Sequence, residues 1–253
     1  MNSNKQLYGA VLLKADRILS FLSSSDSPQR LNQIAAETGL TNSTALKILD
    51  TLIHIGYVEK DPEAKKFSLG PSIIKYANKG IQKLDIKRIA QPHIEKLQRI
   101  TTETVHLGIL DISRIVYITK LESSNPVSLY SKVGKSIPLY CSAMGKSILA
   151  EQTDDEIEKY LANHALIPKT KNTITSEKIF LQEIENVRKQ GFAFDNSEHE
   201  DEVFCIGTSL SLNGKTYGAI SVSVPKYRIN AESKNAIIQA VKTCKTEILN
   251  DII

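Results

Sequence analysis

The sequence lacks any apolar run that approaches the length of a membrane-spanning helix, which is about 18 residues. Its start, MNSNKQLYGAVLLKADRILSF, also lacks the basic segment, the apolar segment and the cleavage site of a secretion signal. We therefore expect a cytoplasmic protein without a membrane-spanning segment.

Cysteine is scarce in this chain. The three cysteines, Cys141, Cys205 and Cys244, are widely spaced and odd in number, which suits free thiols in a reducing compartment better than a disulfide framework. The sequence also lacks a CxxC motif and any cluster of histidine and cysteine of the kind that holds structural zinc. We expect no disulfide, no bound metal and no cofactor.

Composition bounds the size of the core and weakly indicates a partner. With 253 residues, of which 41% are hydrophobic, the chain can bury a full core in one or two domains. The formal net charge is +4, and residues 1–80 contain ten Lys and Arg against seven Asp and Glu. This excess is consistent with a nucleic-acid partner for the N-terminal part, although many inert domains share it.

Residues 31–58, LNQIAAETGLTNSTALKILDTLIHIGYV, have the pattern of a helix-turn-helix. Apolar spacing predicts a first helix over residues 10–22 and a second over residues 31–38. Thr41 is a candidate N-cap for a third helix that runs to about Ile55. The residues of this helix that we expect to face the core are Leu46, Leu49 and Ile53.

Two β-prone runs, residues 57–59 and 66–69, flank the turn-forming Asp61 and Pro62 and predict a lysine-rich hairpin. Three helices followed by such a hairpin predict a winged helix-turn-helix, which is a DNA-binding motif. The helical stretch of residues 71–84 that comes next is interpreted as a linker between two domains.

From residue 85 the pattern changes to that of an α+β domain. A helix over residues 85–101, which contains Pro92, precedes three β-rich runs, VHLGIL, RIVYITKLE and VSLYSKVG. The segment SAMGKSILA predicts a helix, and two more polar helices are expected around residues 154–161 and 176–190. Two strands, VFCIGTSLSL and YGAISVSVP, and a long helix from Asn230 complete the pattern.

The start of the third helix presents small polar side chains where a DNA-reading helix meets the major groove. Amide, hydroxyl and ammonium groups there can bond to base edges, and cations beside them can bind phosphates. The candidate base readers are Asn42, Ser43, Thr44 and Lys47, and the candidate phosphate contacts are Arg30, Lys60, Lys65 and Lys66. Thr41, the candidate N-cap, is also included in the predicted DNA-binding set. For each residue taken singly, a helix cap or a solvated lysine explains the pattern equally well.

A second group of polar residues, in the α+β domain, is a candidate small-molecule site. Residues 142–145 lie where a helix begins, so free backbone N–H groups there can bind an anion such as a carboxylate. Asp195 and Cys205 are predicted at the ends of neighbouring segments, and Ser221 and Ser223 share one face of a strand. The two hydroxyls indicate either a polar pocket for an oxygenated ligand or a face that packs small residues against a helix.

Cys205, His199 and Asp195 lie close enough in sequence to raise the hypothesis of a nucleophilic enzyme. Cys205, however, lies in an apolar strand pattern, where cysteine is usually an inert small hydrophobe. His199 belongs to the acidic loop SEHEDE, and His106 in VHLGIL is isolated, so both are interpreted as structural or solvated residues. We expect no catalysis.

Several of these segments together resemble the IclR family of bacterial transcriptional regulators. The resemblance covers nearly the whole chain and is carried by the winged helix-turn-helix, GKSIPLYCSAMGKSILA, GFAFDNSEHEDEVFCIG and AISVSVP. It implies a DNA-binding domain, a linker helix and a GAF-like effector domain over residues 1–70, 71–84 and 85–253, assembled as homodimers or homotetramers on operator DNA. The effector-pocket residues that it implies are Ala143, Met144, Asp195, Cys205, Ser221 and Ser223.

Within the family, ETVHLGILDISRIVYITKLES followed by LYSKVGKSIPLY is similar to regulators that sense 2-keto-3-deoxygluconate in pectin and uronate catabolism. The resemblance thus implies a ligand-responsive DNA-binding regulator, by analogy a repressor of sugar-acid catabolism genes, that binds a small carboxylate. An enzyme that uses the same pocket and a constitutive DNA-binding protein without an effector remain as alternatives. Residues 45–47 depart from the aromatic residue and arginine common in the family, so relatives do not predict the operator sequence.

Overall fold

The computed structural model describes residues 9–82, 85–125 and 129–252, and it gives no side-chain detail for residues 78–82. The chain divides into two compact units, Met1–Lys83 and Leu84–Ile253. Within the described ranges, no helix is long and apolar enough to cross a membrane.

Three helices open the N-terminal unit: α1 (Ala10–Ser24), α2 (Leu31–Thr38) and α3 (Asn42–His54). Gly39 ends α2 because it adopts a left-handed conformation, with φ of 66°, that residues with a Cβ rarely adopt. Thr41 is the N-cap of α3, as predicted, since its Oγ1 accepts the Thr44 N–H at 3.3 Å. The core that these helices share is centred on the fully buried Ile18, Ile34 and Leu49.

The buried face of α3 differs from the predicted one at a single position. Leu49 is fully buried and Ile53 is partly buried, but Leu46 is 36% exposed, so its predicted core position was wrong. The buried face is centred on Ala45 and Ile48, and Leu46 lies about 100° around the helix from Ala45. The small Ala45 occupies the core position instead, which turns Leu46 towards the surface.

The predicted hairpin consists of β2 (Val58–Lys60) and β3 (Lys66–Leu69), and a two-residue strand, β1 (Gln29–Arg30), pairs with β3. Its turn is built on Asp61, whose Oδ1 accepts the N–H groups of Glu63 and Ala64 at 2.9 Å each. The sheet order is β1-β3-β2, so the winged helix-turn-helix is confirmed. Helix α4 (Ser72–Gln82) follows; residues 83 and 84 of the predicted linker lie outside the described residues.

The C-terminal unit is built around a six-stranded antiparallel sheet, with the order β6-β5-β4-β9-β8-β7. Its strands are β4 (Thr104–Asp111), β5 (Arg114–Leu121), β6 (Ser136–Pro138), β7 (Ala193–Asn196), β8 (Val203–Leu212) and β9 (Lys215–Pro225). Its helices are α5 (Asp85–Thr101), α6 (Ala143–Leu149), α7 (Asp154–Asn163), α8 (Glu177–Gln190) and α9 (Ala231–Asn250). The predicted helices and the α+β class are therefore confirmed.

Each face of this sheet packs against different helices. Helices α5 and α9 bury residues such as Ile94 and Val241 against Leu107 and Val222 on one face. Helices α6 and α8 bury residues such as Met144 and Phe180 on the other face. Helix α6 is buried along its entire length, so its start lies inside the unit and close to the sheet.

One predicted strand was wrong and three short strands were not predicted. In VSLYSKVG, residues 127 and 128 lie outside the described residues, and residues 129–134 contain no strand. Backbone carbonyls of this segment bond to a lysine side chain instead of a neighbouring strand: Lys120 Nζ donates to the carbonyls of Leu129 and Ser131. The chain then turns at Gly134 before β6. The strands that were not predicted, β1, β6 and β7, have two, three and four residues and are too short for periodicity to identify.

Candidate functional sites

The first candidate site is the exposed start of α3. Asn42, Ser43 and Lys47 are exposed there, and Thr44 is partly exposed. The Thr41 hydroxyl donates to Thr44 Oγ1 at 2.9 Å while accepting the Thr44 N–H, so these two threonines serve the helix cap. The side chains of Asn42, Ser43 and Lys47 are therefore the better placed of the predicted residues for contacts outside the protein.

The predicted phosphate contacts lie on the small sheet that carries the hairpin. Arg30 and Lys66 occupy directly opposite positions on β1 and β3, while Lys60 and Lys65 are exposed at β2 and in the turn. Two like charges opposite one another on an antiparallel pair destabilise the pair. A bound anion such as a DNA phosphate relieves that repulsion, which gives this arrangement a physical reason beyond solubility.

Leu46 is a candidate base contact that sequence reasoning missed. It is exposed on the same helix as Lys47, one turn after Asn42 and Ser43. An apolar side chain on a reading helix can contact the methyl group of thymine, which polar neighbours cannot do. Its periodicity with the core residues concealed this role, because leucine at helical spacing is usually buried.

The second candidate site is a cavity against the face of the large sheet that carries α6. Its volume is ≈ 430 Å³ when the open solvent at its mouth is included. All six residues that were predicted to bind an effector line this one cavity: Ala143, Met144, Asp195, Cys205, Ser221 and Ser223. The structure thus brings together residues that lie up to 80 positions apart in the sequence.

Strand register explains this convergence. Asp195 on β7 pairs with Cys205 on β8, and Cys205 pairs in turn with Ser223 on β9. Ser221, two residues before Ser223, pairs with His106 on β4. Since opposite residues of an antiparallel pair point to the same face, a polar row crosses four strands beneath α6.

The start of α6 supplies backbone N–H groups to the cavity. Ser142 is its N-cap: its Oγ accepts the Gly145 N–H at 3.1 Å and donates to the Pro138 carbonyl at 2.7 Å. Gly145 fits only because it has no side chain, since a Cβ would lie 2.3 Å from the Leu139 backbone. Helix geometry leaves the N–H groups of Ala143 and Met144 without an intrahelical acceptor.

Asp195 is the most strongly perturbed acid of the cavity. It is 5% exposed, and its Oδ1 accepts the N–H of Glu198 at 2.6 Å and that of His199 at 3.4 Å. Burial raises its pKa to about 7, and the nearby charge of Glu198 adds to the effect, while the Glu198 N–H bond and Lys146 oppose it. Asp195 is therefore partly protonated near neutral pH, when it can donate as well as accept hydrogen bonds.

Cys205 lies beside Asp195 but is not an activated nucleophile. Its Sγ is 3.1 Å from Ser223 Oγ. Burial raises the pKa of the thiol well above its ordinary value, and the carboxyl of Asp195 raises it further. The reactive thiolate is disfavoured here, in contrast to catalytic cysteines, which lie beside positive charge. This geometry argues against the enzyme hypothesis.

A buried cluster of three charged side chains, Lys146, Glu183 and Glu198, connects α6 to neighbouring elements. Lys146, the residue after Gly145, is fully buried; its Nζ donates to Glu198 Oε1 at 2.6 Å and to Glu183 Oε1 at 3.1 Å. Burial disfavours the charge of Lys146, but the two carboxylates outweigh it and raise the lysine pKa. The cluster joins α6 to α8 and to the loop that follows β7.

Several further cavity residues were not singled out from the sequence as ligand-binding. His106 was interpreted as structural, and His199 as solvated or locally paired, yet both line the cavity, together with Tyr117, Ser131 and Glu200. No lysine or arginine appears among the described lining residues. A search of the described residues for clusters of three or more His, Cys, Asp or Glu that could hold a metal ion found none.

Comparison with known proteins identifies the two units. The model for the IclR helix-turn-helix domain matches residues 11–62, and the model for the bacterial transcriptional regulator IclR C-terminal domain matches residues 78–250. The chain belongs to the IclR family. It is therefore a ligand-responsive DNA-binding transcriptional regulator and not an enzyme, with DNA bound through the helix-turn-helix and a small-molecule effector bound in the C-terminal domain.

Individual IclR-family relatives extend the comparison over most of the chain. The HTH-type transcriptional regulator KdgR of Escherichia coli (strain K12) is 32% identical over 219 residues, which are 86% of this chain and 83% of KdgR. The crystal structure of the Thermotoga maritima IclR is 31% identical with a TM-score of 0.72, covering 96% of this chain and 98% of that one.

A third relative is an IclR homologue from Microbacterium hydrocarbonoxydans, whose crystal structure is a complex with 4-hydroxybenzoate. It has a TM-score of 0.78 and 21% identity, covering 96% of this chain and 98% of that one. At this identity the likeness shows the shared fold alone.

Proposed function

We propose that this IclR-family regulator is a repressor of sugar-acid catabolism genes that releases its operator when a small carboxylate, such as 2-keto-3-deoxygluconate, occupies the cavity under α6. The observation that carries the proposal is the polar row across β7, β8, β9 and β4, which faces the free N–H groups at the start of α6. Hydroxyl, thiol and carboxyl groups on one side and amides on the other suit an oxygen-rich acid.

In this proposal the effector is held at both ends. Its carboxylate accepts hydrogen bonds from the N–H groups of Ala143 and Met144. No lysine or arginine among the described lining residues offers a positive charge that would compete with these N–H groups for the carboxylate. Its keto and hydroxyl groups meet Asp195, Cys205, Ser221 and Ser223. The named acid comes from the sequence resemblance over residues 99–150, and the 4-hydroxybenzoate held by the Microbacterium homologue is also a small carboxylate.

The DNA-binding half of the proposal assigns the reading of bases to α3 and the binding of phosphates to the hairpin sheet. Asn42, Ser43, Thr44 and Lys47, with Thr41 at the cap, face base edges, while Arg30, Lys60, Lys65 and Lys66 bind phosphates. We further propose that residues 71–84 link a DNA-binding domain of residues 1–70 to an effector domain of residues 85–253, in a cytoplasmic homodimer or homotetramer. A dimer must place its two reading helices one DNA turn apart, ~34 Å, so a change of linker arrangement is enough to abolish operator binding.

The DNA half is tested by fluorescence anisotropy with the DNA that flanks the gene. Lys47→Ala together with Asn42→Ala, which leaves the threonines of the helix cap intact, is expected to weaken operator binding at least about tenfold, since base-contacting groups typically contribute 1–3 kcal/mol each. Lys189→Ala, which removes an exposed charge from α8, is the matched control and is expected to leave affinity unchanged. Unchanged affinity in the double variant would show that α3 is not the reading helix.

The effector half is tested by titrating 2-keto-3-deoxygluconate into the protein–operator complex. The acid is expected to release the DNA, and Ser223→Ala is expected to raise the concentration required. Ser211→Ala is the matched control, because this serine lies on β8 but bonds to Thr216 away from the cavity. If no sugar acid or keto acid changes DNA binding or thermal stability, the proposal fails in favour of a constitutive DNA-binding protein.

A further inference from the structure

His106 lies in the middle of β4, at a position where its side chain enters the cavity rather than the helix-packed core. It is 1% exposed and lines the cavity beside Ser221, its partner on β9. Its ring centre is 4.7 Å from that of Tyr117, which forms part of the same wall. The imidazole is therefore held in place at the floor of the site.

The two ring nitrogens of His106 have unequal partners. Nε2 is 2.8 Å from Ser131 Oγ, which is an ordinary hydrogen-bond distance. Nδ1 is 3.4 Å from Ser223 Oγ, which is longer than most hydrogen bonds of this kind. The Nδ1 side, next to the hydroxyl of Ser223, is thus the side with capacity for a stronger partner.

Ser131 is fixed independently of His106. Lys120 Nζ donates to the Ser131 carbonyl at 2.8 Å and to the Leu129 carbonyl at 3.3 Å. Because this lysine anchors the backbone of Ser131, the serine hydroxyl is held within hydrogen-bond distance of Nε2. Only the edge of the ring that carries Nδ1 is left for a ligand.

His106 is also uncharged. Burial, together with the positive charge of Lys120, lowers its pKa to about 3. A neutral imidazole has one nitrogen that donates and one that accepts. A hydroxyl group can both donate and accept, so it satisfies Nδ1 in either tautomer, whereas a methylene group satisfies neither.

We propose that His106 is a specificity-determining residue of the effector site, where its Nδ1 edge and Ser223 together bind a hydroxyl group of the effector. The site then distinguishes polyhydroxylated keto acids from plain keto acids of the same length. This inference rests on the proposed function, since it concerns the same cavity, but it adds a residue and a selection rule to it. A polar site that binds a hydroxyl rejects analogues without one because its own groups lose their partners.

The test compares two six-carbon keto acids by isothermal titration with the full-length protein. 2-Keto-3-deoxygluconate and 2-oxohexanoate share the keto and carboxylate groups, but only the first has hydroxyl groups. The wild-type protein is expected to bind the first at least about tenfold more tightly. His106→Leu, which removes both nitrogens at similar volume, is expected to weaken the first acid about tenfold and to change the second less than about threefold.

His106→Gln is the conservative variant, and it is expected to restore part of the preference because its amide can both donate and accept. Melting temperature and operator affinity, measured for each variant, show that the fold is intact. Equal losses for both acids would show a structural role, and no loss for either would show that His106 does not contribute to binding. Both outcomes overturn the inference while leaving the proposed function in place. If the wild-type protein binds neither acid, the proposed effector class is wrong, and the inference is overturned with it.

Discussion

The carboxyl group of Asp195 connects the chemistry of the cavity to protein stability. The unfolded chain releases this proton near pH 3.8, whereas the folded protein holds it to about pH 7. Between these values the folded state binds more protons, so the free energy of unfolding contributed by Asp195 falls as pH rises and levels off above about pH 7. His106 acts with the opposite sign between its lowered pKa of about 3 and its ordinary value of 6.5.

Comparison with Asp195→Asn isolates the first effect, because both proteins share His106. The stability of the wild-type protein relative to the variant is expected to fall by about 2 kcal/mol between about pH 5 and pH 7, at 1.36 kcal/mol per pKa unit. Denaturant unfolding at several pH values measures this difference. Asp111→Asn, an exposed carboxylate at the end of β4, is the control and should show no such slope. A constant difference for Asp195→Asn would mean that the carboxyl is already ionised at pH 5.

Single residues could be placed from the sequence where the pattern of one strand or one helix start is enough to predict their position. Alternation placed Ser221 and Ser223 on one face, and the structure agrees. His106 lies in an apolar run, VHLGIL, where it looked structural, and its position in the cavity follows only from its pairing with Ser221. Pairing between strands more than a hundred residues apart is not encoded in local periodicity, so this residue could not be placed from the sequence.

Helix α6 depends on the charge of Lys146 for its attachment to neighbouring elements. Lys146→Met would remove the cation that pairs with Glu198 Oε1 and leave the carboxylate of Glu198 buried without a positive partner. The other oxygen, Glu198 Oε2, already has no hydrogen-bond partner among the described atoms. Breaking a buried ion pair from one side typically costs about 3–5 kcal/mol. We therefore expect a loss of stability of that size, measured by denaturant unfolding.

The double variant Lys146→Met, Glu198→Met is the informative companion, since replacing both charges with apolar groups often restores stability. Recovery of most of the loss would show that the single variant suffers from an unpaired charge rather than from poor packing. Lys159→Met on the exposed face of α7 is the control. A single variant as stable as the wild-type protein would contradict the buried cluster.

The elements themselves were predictable where they are long and periodic. Helices α2 and α5 have the predicted bounds, because apolar residues recur at helical spacing along both and Gly39 ends α2. The strand predicted in VSLYSKVG was wrong. Its residues are β-prone, but the carbonyls of Leu129 and Ser131 bond to the Lys120 side chain instead of a neighbouring strand. The predicted core position of Leu46 was wrong because the neighbouring Ala45 occupies the core instead. A prediction based on the spacing of large apolar residues does not consider alanine.

At the scale of the whole molecule, the effector and the operator must change each other's binding affinity by the same factor. If the effector lowers operator affinity by a given factor, the operator lowers effector affinity by the same factor. We expect the dissociation constant of 2-keto-3-deoxygluconate to rise at least about fivefold when saturating operator DNA is present. Titration calorimetry with and without the DNA measures this, with a DNA of unrelated sequence as the control.

Equal effector affinity in both titrations would exclude any coupling between the cavity and DNA binding, even if both ligands bind. Saturation with effector should also stabilise the C-terminal unit, by roughly 2.7 kcal/mol at 100 times its dissociation constant. Stabilisation without a change in operator affinity would show that the acid binds but does not regulate DNA binding. That outcome differs from the absence of any effector.

The polar row beneath α6 also bears on how such regulators can diversify. The proposed DNA reader is a contiguous peptide, residues 42–47, so it can be exchanged between proteins as one piece. The groups that we propose to bind the effector come one or two at a time from β7, β8, β9, β4 and the start of α6, and strand register brings those of the sheet together. A new effector specificity can therefore arise by single substitutions on an unchanged scaffold, but it cannot be transplanted by moving any one segment.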